Sequence, residues 1–113
     1  YDPVGDHFAE PALRAMAWEG RYLVVGFAAG EIPKIPLNIP LLKSCAIVGV
    51  FWGSWAMQFP NENLINTMQL MQWQTEGKII PHIHAVYPLD QTSKALEEMM
   101  ARKVKGKLVV ACH

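Results

Sequence analysis

An excess of charge of either sign is missing from this 113-residue sequence: ten Lys and Arg stand against ten Asp and Glu. Without a basic footprint, nothing in the composition calls for nucleic acid or an anionic membrane surface as a partner. Cysteine is nearly absent too, with Cys45 and Cys112 far apart and in no C-x-x-C spacing. That is poor material for a disulfide framework or a structural zinc site, and it suits a reducing, cytoplasmic setting. Long apolar runs are lacking as well. The longest, centred on 45–57, is too short to span a bilayer and is interrupted by Gly49, Gly53 and Ser54. Neither a basic n-region nor a signal-type apolar core follows Tyr1, and without a methionine the start reads as internal, as if cut from a longer protein.

Apolar side chain is what the sequence has in plenty. Hydrophobic residues make up 51% and charged residues 18%, a balance that neither a disordered segment nor a solvating tail shows. A core must be buried, and at this length the chain is one compact unit or a piece of something larger.

Phe8, Leu13, Met16 and Ala17 recur on one helical face and predict a first helix over 8–19, with Pro11 in its first turn and Gly20 as a left-handed C′ residue. The unbroken run Tyr22-Leu23-Val24-Val25, closed by Gly26, predicts a strand covered on both faces, as in parallel sheets. Pro33, Pro36 and Pro40 make 31–40 an extended connector that ends in at most a turn of helix at Leu41-Leu42. A second apolar run at 45–51 predicts another strand, and two parallel strands with a crossover make one half-unit of a doubly wound sheet.

The pattern changes at Phe59-Pro60. Asn61 is a candidate N-cap for the longest helix, in which Leu64, Met68, Met71 and Thr75 follow at helical spacing before Gly77. Residues 78–89 alternate, but Pro81 and Pro88 confine any strand there to an edge or to its ends. Asp90 then offers a cap for a helix with Leu96, Met99 and Met100 inward and with Lys94 to Glu98 and Glu98 to Arg102 as outward i, i+4 pairs. Gly106 turns the chain into a last strand at 108–111.

Side chains that carry chemistry are few. His82-x-His84 puts two imidazoles on one strand face, a spacing that can hold a metal, and Cys112-His113 adds two donors. No third ligand at a telling spacing joins them, so solvent-side histidines and a frayed tail are the expectation, with no metal site. Met68, Met71, Met99 and Met100 read as core packing of two amphipathic helices rather than an adaptable binding surface. Cys45 reads as a buried, inert thiol. No Ser/His/Asp, Cys/His or H-E-x-x-H arrangement is present, so no catalytic residue is named. The informative positions are Val25-Gly26-Phe27-Ala28 and Gly49-Val50-Phe51-Trp52-Gly53. Glycines at the carboxyl ends of parallel strands let main chain approach a flat ring, although they also serve simply to turn the chain.

Several motifs share an order and spacing that resemble the quinone oxidoreductase branch of the medium-chain dehydrogenase/reductase superfamily. They are Asp2-Pro3-Val4-Gly5, Ala17-Trp18-Glu19-Gly20-Arg21 leading into Val24-Val25-Gly26-Phe27-Ala28, and Gly30-Glu31-Ile32-Pro33-Lys34-Ile35-Pro36-Leu37-Asn38. Gly49-Val50-Phe51-Trp52-Gly53, Glu76-Gly77-Lys78-Ile79-Ile80-Pro81, Tyr87-Pro88-Leu89 and Gly106-Lys107-Leu108-Val109-Val110 continue the likeness to the end. The resemblance implies an α/β fold. Residues 1–59 would be the second half of a Rossmann-like parallel sheet, and 60–113 a helix-strand-helix-strand segment returning to a GroES-like catalytic domain.

The same resemblance implies a fragment of an NADPH-dependent enzyme passing hydride to a quinone or an enone. Its coenzyme contacts would be Val25, Gly26, Phe27, Val50, Phe51 and Trp52, largely through backbone, with Val4 as a weaker contact near the ribose. It further implies a homodimer through the edge strand at 46–50, from Ala46 to Val50. A glycine-rich phosphate loop is absent from the sequence, so the isolated chain is expected to be inactive. An alcohol dehydrogenase or enoyl reductase is the sister reading. A non-catalytic dimerising or binding module with an inherited half-fold is the reading from a different class.

Overall fold

The computed structural model describes residues 1–112, which divide into two compact units whose boundary falls at Pro60 and Asn61. In the first unit a 3-10 turn at Asp6–Phe8 leads into α1 (Ala9–Arg14), followed by β1 (Arg21–Val24), α2 (Asn38–Lys43), β2 (Ala46–Gly49) and α3 (Trp52–Gln58). In the second, α4 (Pro60–Thr75) precedes β3 (Ile83–Pro88), α5 (Thr92–Met100) and β4 (Lys107–Ala111). Among the described residues no helix is long and apolar enough to cross a membrane.

β1 and β2 pair in parallel without a slip, Arg21 opposite Ala46 through Val24 opposite Gly49. Asp2 adds a parallel bridge to Val24 on the other side of β1, so three chain segments run the same way. The core under this sheet is small: Ala9, Leu13, Tyr22 and Ile39, with Met16, Val24, Ile35 and Cys45 packed against it. Leu13 is fully buried, a contribution of roughly 1.5–3 kcal/mol for a side chain of that size. The expectation that both strand faces are covered fails. Tyr22 is buried, but Ala46, Ile47 and Gly49 are exposed, because α1 and α2 supply one layer of cover and nothing in the unit supplies the other.

Helix α1 is shorter than the predicted 8–19. It gains from the Glu10 to Arg14 ion pair at 2.6 Å, with the acid N-terminal as helix polarity favours. It then tightens, Met16 N–H donating to Leu13 O at 3.1 Å, and turns through Ala17 to Gly20, whose N–H donates to Ala17 O at 3.0 Å. The left-handed residue is Glu19 (φ 57°), not Gly20. Gly20 is required for space instead, since a Cβ there would stand 2.6 Å from Met16 Cε and 2.9 Å from the Ala17 carbonyl oxygen. The connector also departs from expectation. α2 is a six-residue helix that contains Pro40, tolerated in the first turn where its missing N–H has no intrahelical partner to lose, and it ends at left-handed Ser44 (φ 47°).

The second unit is a right-sized βαβ unit: β3 and β4 pair in parallel from Ile83 opposite Lys107 to Pro88 opposite Ala111, and α5 crosses between them. Pro88 ends β3, as a residue lacking an N–H should. α4 begins at Pro60 rather than being capped by Asn61, the first helical turn being where proline costs least. α5 follows a 3-10 turn at Leu89–Gln91 and has no Asp90 cap; Thr92 Oγ1 instead donates to Leu89 O at 2.6 Å. Its packed face carries Thr92, Ala95 and Glu98, of which Ala95 is buried, while Leu96, Met99 and Met100 are exposed rather than inward. Met68 and Met71 on α4 are exposed as well. The methionines therefore do not form a core within the described residues.

Candidate functional site

The candidate site lies beyond the carboxyl ends of the parallel segments. Asp2 N–H donates to Leu23 O (2.9 Å), Val25 N–H to Asp2 O (2.9 Å) and Val50 N–H to Val24 O (2.8 Å), which carries the ladder one residue past each strand. The chain after β1 then folds over the amino-terminal segment, Ala28 N–H donating to Pro3 O at 3.1 Å and Ala29 N–H to Val4 O at 3.0 Å. Between the two strand ends opens a cavity of about 370 Å³ lined by Val24, Val25, Gly26, Phe27, Gly49, Val50 and Phe51. A neighbouring cavity of about 360 Å³ shares Gly49, Val50 and Phe51 and adds Trp52 and Trp55. Each is within the size range of small-molecule sites, and neither lining contains a charged side chain. Such walls suit a flat, uncharged ring and supply no cationic side chain for a phosphate.

Five of the seven residues named from the sequence, Val25, Gly26, Phe27, Val50 and Phe51, line the first cavity together. Trp52 lines only the second. It is not a strand residue: β2 stops at Gly49, Phe51 is the N-cap position of α3, and Trp52 opens that helix, which the Gly53-Ser54 pair conceals in the sequence. Val4 lines neither cavity and acts through its carbonyl on Ala29. Val24, Gly49 and Trp55 are lining residues that were not named as contacts. Gly49 carried the clearest signal, a glycine at a strand end, whereas Trp55 was hidden with α3.

The two strand-end glycines differ. A Cβ on Gly26 would lie 3.3 Å from the Pro3 carbonyl oxygen, so its bareness is explained by the adjoining segment. A Cβ on Gly49 would meet nothing within 4 Å, so the missing side chain leaves the crevice open. The aromatic rims are open too, Phe51 being 79% and Trp52 64% exposed, so no packing of the unit's own occludes the strand tips.

Asp2 governs the electrostatics beside the crevice. Its Oδ1 accepts Val4 N–H at 2.8 Å and Gly5 N–H at 2.9 Å, and its Oδ2 accepts the Tyr22 hydroxyl. The Tyr22 hydroxyl, then the Gly5 amide, hold the Asp2 carboxyl below the usual carboxylate range. Burial, reinforced by the neighbouring Asp2 carboxylate, pushes the Tyr22 phenol up to about 12.

The histidines do not form a metal pair. His82 precedes β3, and an irregularity between Ile83 and Ala85 breaks the alternation that would align it with His84. His84 Nε2 lies 3.1 Å from Glu98 Oε1, while Glu98 Oε2 accepts the Tyr87 hydroxyl. Glu98 is thus used by the strand, and the expected pairs to Lys94 and Arg102 do not form; Lys94 Nζ stands 5.8 Å over the Tyr87 ring. Cys45 is half-buried and Cys112 exposed, and His113 lies outside the described residues. Among the described residues no group of three or more His, Cys, Asp or Glu could hold a metal ion.

Parallel strands joined through helices, with an apolar crevice beyond their carboxyl ends, define a class, the α/β proteins with a Rossmann-like parallel sheet. Within it, the chain belongs to the zinc-binding dehydrogenase family, whose model matches residues 1–110. Quinone oxidoreductase-like protein 2 of Bos taurus is 41% identical over 110 residues, covering 95% of this chain and 30% of that protein. A Sinorhizobium meliloti structure provisionally assigned as an alcohol dehydrogenase is 32% identical with a TM-score of 0.79, over 97% of this chain and 28% of its own. A Bacillus thuringiensis structure provisionally assigned as an NADPH:quinone reductase superposes with a TM-score of 0.81 over 99% of this chain and 34% of its own. At 17% identity that last likeness bears on the fold alone. The fold is that of the carboxyl-terminal, Rossmann-like part of medium-chain oxidoreductases. The chain spans about a third of the length of the relatives it matches. The family is described by zinc, yet among the described residues the His, Cys, Asp and Glu side chains form no group that fits a zinc ion.

Proposed function

We propose that the chain is the coenzyme-side, carboxyl-terminal part of an NADPH-dependent oxidoreductase that passes hydride to a quinone or an activated alkene. The observation that carries this reading is the uncharged crevice between Val25-Gly26-Phe27 and Gly49-Val50-Phe51, set where parallel sheets bind planar ligands. When bound, the nicotinamide supplies the hydride chemistry. The residues here hold and shield the ring. Val25 and Val50 would flank it, open Gly49 would let it lie against main chain, and Phe27, Phe51 and Trp52 would form rims that limit access of water. The pyrophosphate and the residue that selects NADP would be held by residues outside this chain.

In the same reading, residues 1–59 belong to the coenzyme domain and 60–113 to the segment that completes a GroES-like domain, and two copies pair through the strand at 46–50. The free thiols of Cys45 and Cys112 support a reducing, cytoplasmic location. The isolated 113-residue chain is expected to be inactive. The provisional assignment of the Sinorhizobium protein favours one second reading, an alcohol dehydrogenase with the same crevice.

The test is Gly49→Val in the full-length protein. Its new side chain enters open space, so folding should hold while the crevice fills. Fluorescence titration with NADPH should show binding by the wild type and its loss in the variant, and steady-state assays with a quinone and with an alcohol should favour the quinone. Unchanged coenzyme affinity in Gly49→Val would place the ring elsewhere.

A further inference from the structure

We infer that Asp2 is a positioning residue for the crevice: its carboxylate fixes the turn whose carbonyls hold the Val25-to-Ala29 wall against the end of β1. This rests on the reading of the crevice as the nicotinamide site. One carboxylate satisfies three donors from two directions, Val4 and Gly5 N–H on Oδ1 and the Tyr22 hydroxyl on Oδ2. The Tyr22 ring is one of the few buried side chains of the unit, so the carboxylate is anchored to the core. The main chain around it does the holding. Asp2 O accepts Val25 N–H at 2.9 Å and Gly26 N–H at 3.3 Å, Pro3 O accepts Ala28 N–H and Val4 O accepts Ala29 N–H.

The contact is tight as well as bonded. Gly5 has φ 70° and is buried, and a Cβ on it would stand 2.8 Å from Phe27 Cδ1, so the turn presses on the aromatic rim of the cavity. Gly5 reaches that conformation while donating to Asp2, and a charged acceptor is stronger than water's competing offer. Residues 2–5 do not line the cavity themselves; they set where the lining stands. Asp2 thus touches no ligand and acts through Phe27 and the amides of Val25, Gly26, Ala28 and Ala29.

The experiment compares Asp2→Ala, Asp2→Asn, Tyr22→Phe and Ile39→Val in the full-length protein. Ile39 shares the buried cluster with Tyr22 but lines neither cavity, so Ile39→Val lowers stability while leaving the Asp2 carboxylate and its donors in place. Asp2→Ala is expected to weaken NADPH about tenfold, the equivalent of losing a charge-assisted hydrogen bond or two. Asp2→Asn, which keeps an oxygen for the two amides, should recover most of that affinity, and Tyr22→Phe should fall between. The KM for the quinone should stay within about twofold of wild type, since the brace acts on the coenzyme side. Amide exchange at Ala28 and Ala29 should quicken in Asp2→Ala and not in Ile39→Val. The inference is overturned by wild-type affinity in Asp2→Ala, by wild-type exchange in Asp2→Ala, or by an equal loss of affinity in Ile39→Val, which would make Asp2 one stabilising residue among others. Should wild-type protein bind no NADPH, the crevice reading itself fails, and unaltered exchange at Ala28 and Ala29 would separately remove the brace.

Discussion

Gly106 packs so closely on His82 that a Cβ built on it would fall inside the envelope of the His82 carbonyl oxygen and 2.9 Å from the imidazole Cδ2. The same carbonyl accepts Lys107 N–H at 2.9 Å, which opens the β3 and β4 ladder, and Gly106 holds φ 89°. Gly106→Ala therefore meets backbone strain and a backbone collision together, and should cost at least about 3 kcal/mol. Gly77 is the control. It has φ 71° but nothing within 4 Å, so Gly77→Ala should cost only about 1 kcal/mol. Urea unfolding of the two variants measures the difference; equal costs would mean that His82 moves aside freely.

The Asp2 and Tyr22 pair should shape stability at both ends of the pH range. Asp2 is held below the usual carboxylate range when folded, so its contribution is present above about pH 4 and is lost as pH falls further. Tyr22 is raised to about 12, so its contribution is complete below its unfolded value near pH 10 and disappears as pH climbs toward about 12. Tyr22→Phe should remove the Tyr22 part of the alkaline limb, leaving that of Tyr87, and move the acid limb to higher pH, read from thermal midpoints across the range. An unchanged acid limb would mean that the amides alone set Asp2.

Glu98 offers a second, independent titration. The Tyr87 hydroxyl first, and His84 second, hold its carboxyl below the ordinary glutamate value, and the same bond raises the Tyr87 phenol. In carbon-detected NMR the Glu98 side chain should titrate at lower pH than a free glutamate. In Tyr87→Phe it should move back up, with a smaller return in His84→Ala. A larger effect from His84→Ala would reverse the ranking of the two donors.

Which parts of this fold the sequence discloses follows from where each side chain finds its partner. Tyr22 to Val24 and Ala46 to Gly49 show as strands because a run of bulky apolar residues favours extended chain before any packing is known. Five crevice residues came with those strand ends. α3 did not show, since Gly53 and Ser54 are poor helix formers and its aromatic residues lack a clean period. α1 overran because a helical period says nothing about the sharp turn needed to enter β1 four residues after Ala17. The burial errors share one cause. Periodicity marks an apolar face on α4 and α5 but not the element that covers it, and Leu64, Met68, Leu96 and Met99 have no cover within their own unit. Glu98 was paired along its helix, as spacing suggests, while the strand across from it held two better donors.

Ala95 and Leu13 are the positions where packing within each unit is complete. Leu13→Ala, from a site with no exposure, should cost about 2–5 kcal/mol through lost transfer energy and the cavity left behind. Ala95→Leu must instead force a larger side chain between α5 and its sheet, at about 1–3 kcal/mol. Chemical denaturation measures each. A neutral Ala95→Leu would show that α5 rides loosely on β3 and β4.

Strand β2 leaves one of its two edges unpaired within the unit. Ala46 N–H donates to Gly20 O and Val50 N–H to Val24 O, both on the β1 side. Donors alternate along a strand, so Val48 also faces β1, while the Ile47 and Gly49 amides face the edge that no strand of the unit covers. Ile47 is 41% exposed there, which makes the edge apolar as well as unpaired. If copies join through this edge, Ile47→Pro removes an outward donor and leaves the β1 ladder whole, since proline is tolerated where the N–H points away from the sheet. The wild-type protein should sediment as a dimer, Ile47→Pro as a folded monomer, and Val48→Pro should lose the fold of the first unit. A dimer that survives Ile47→Pro with unchanged affinity would show that the subunits meet by some other surface.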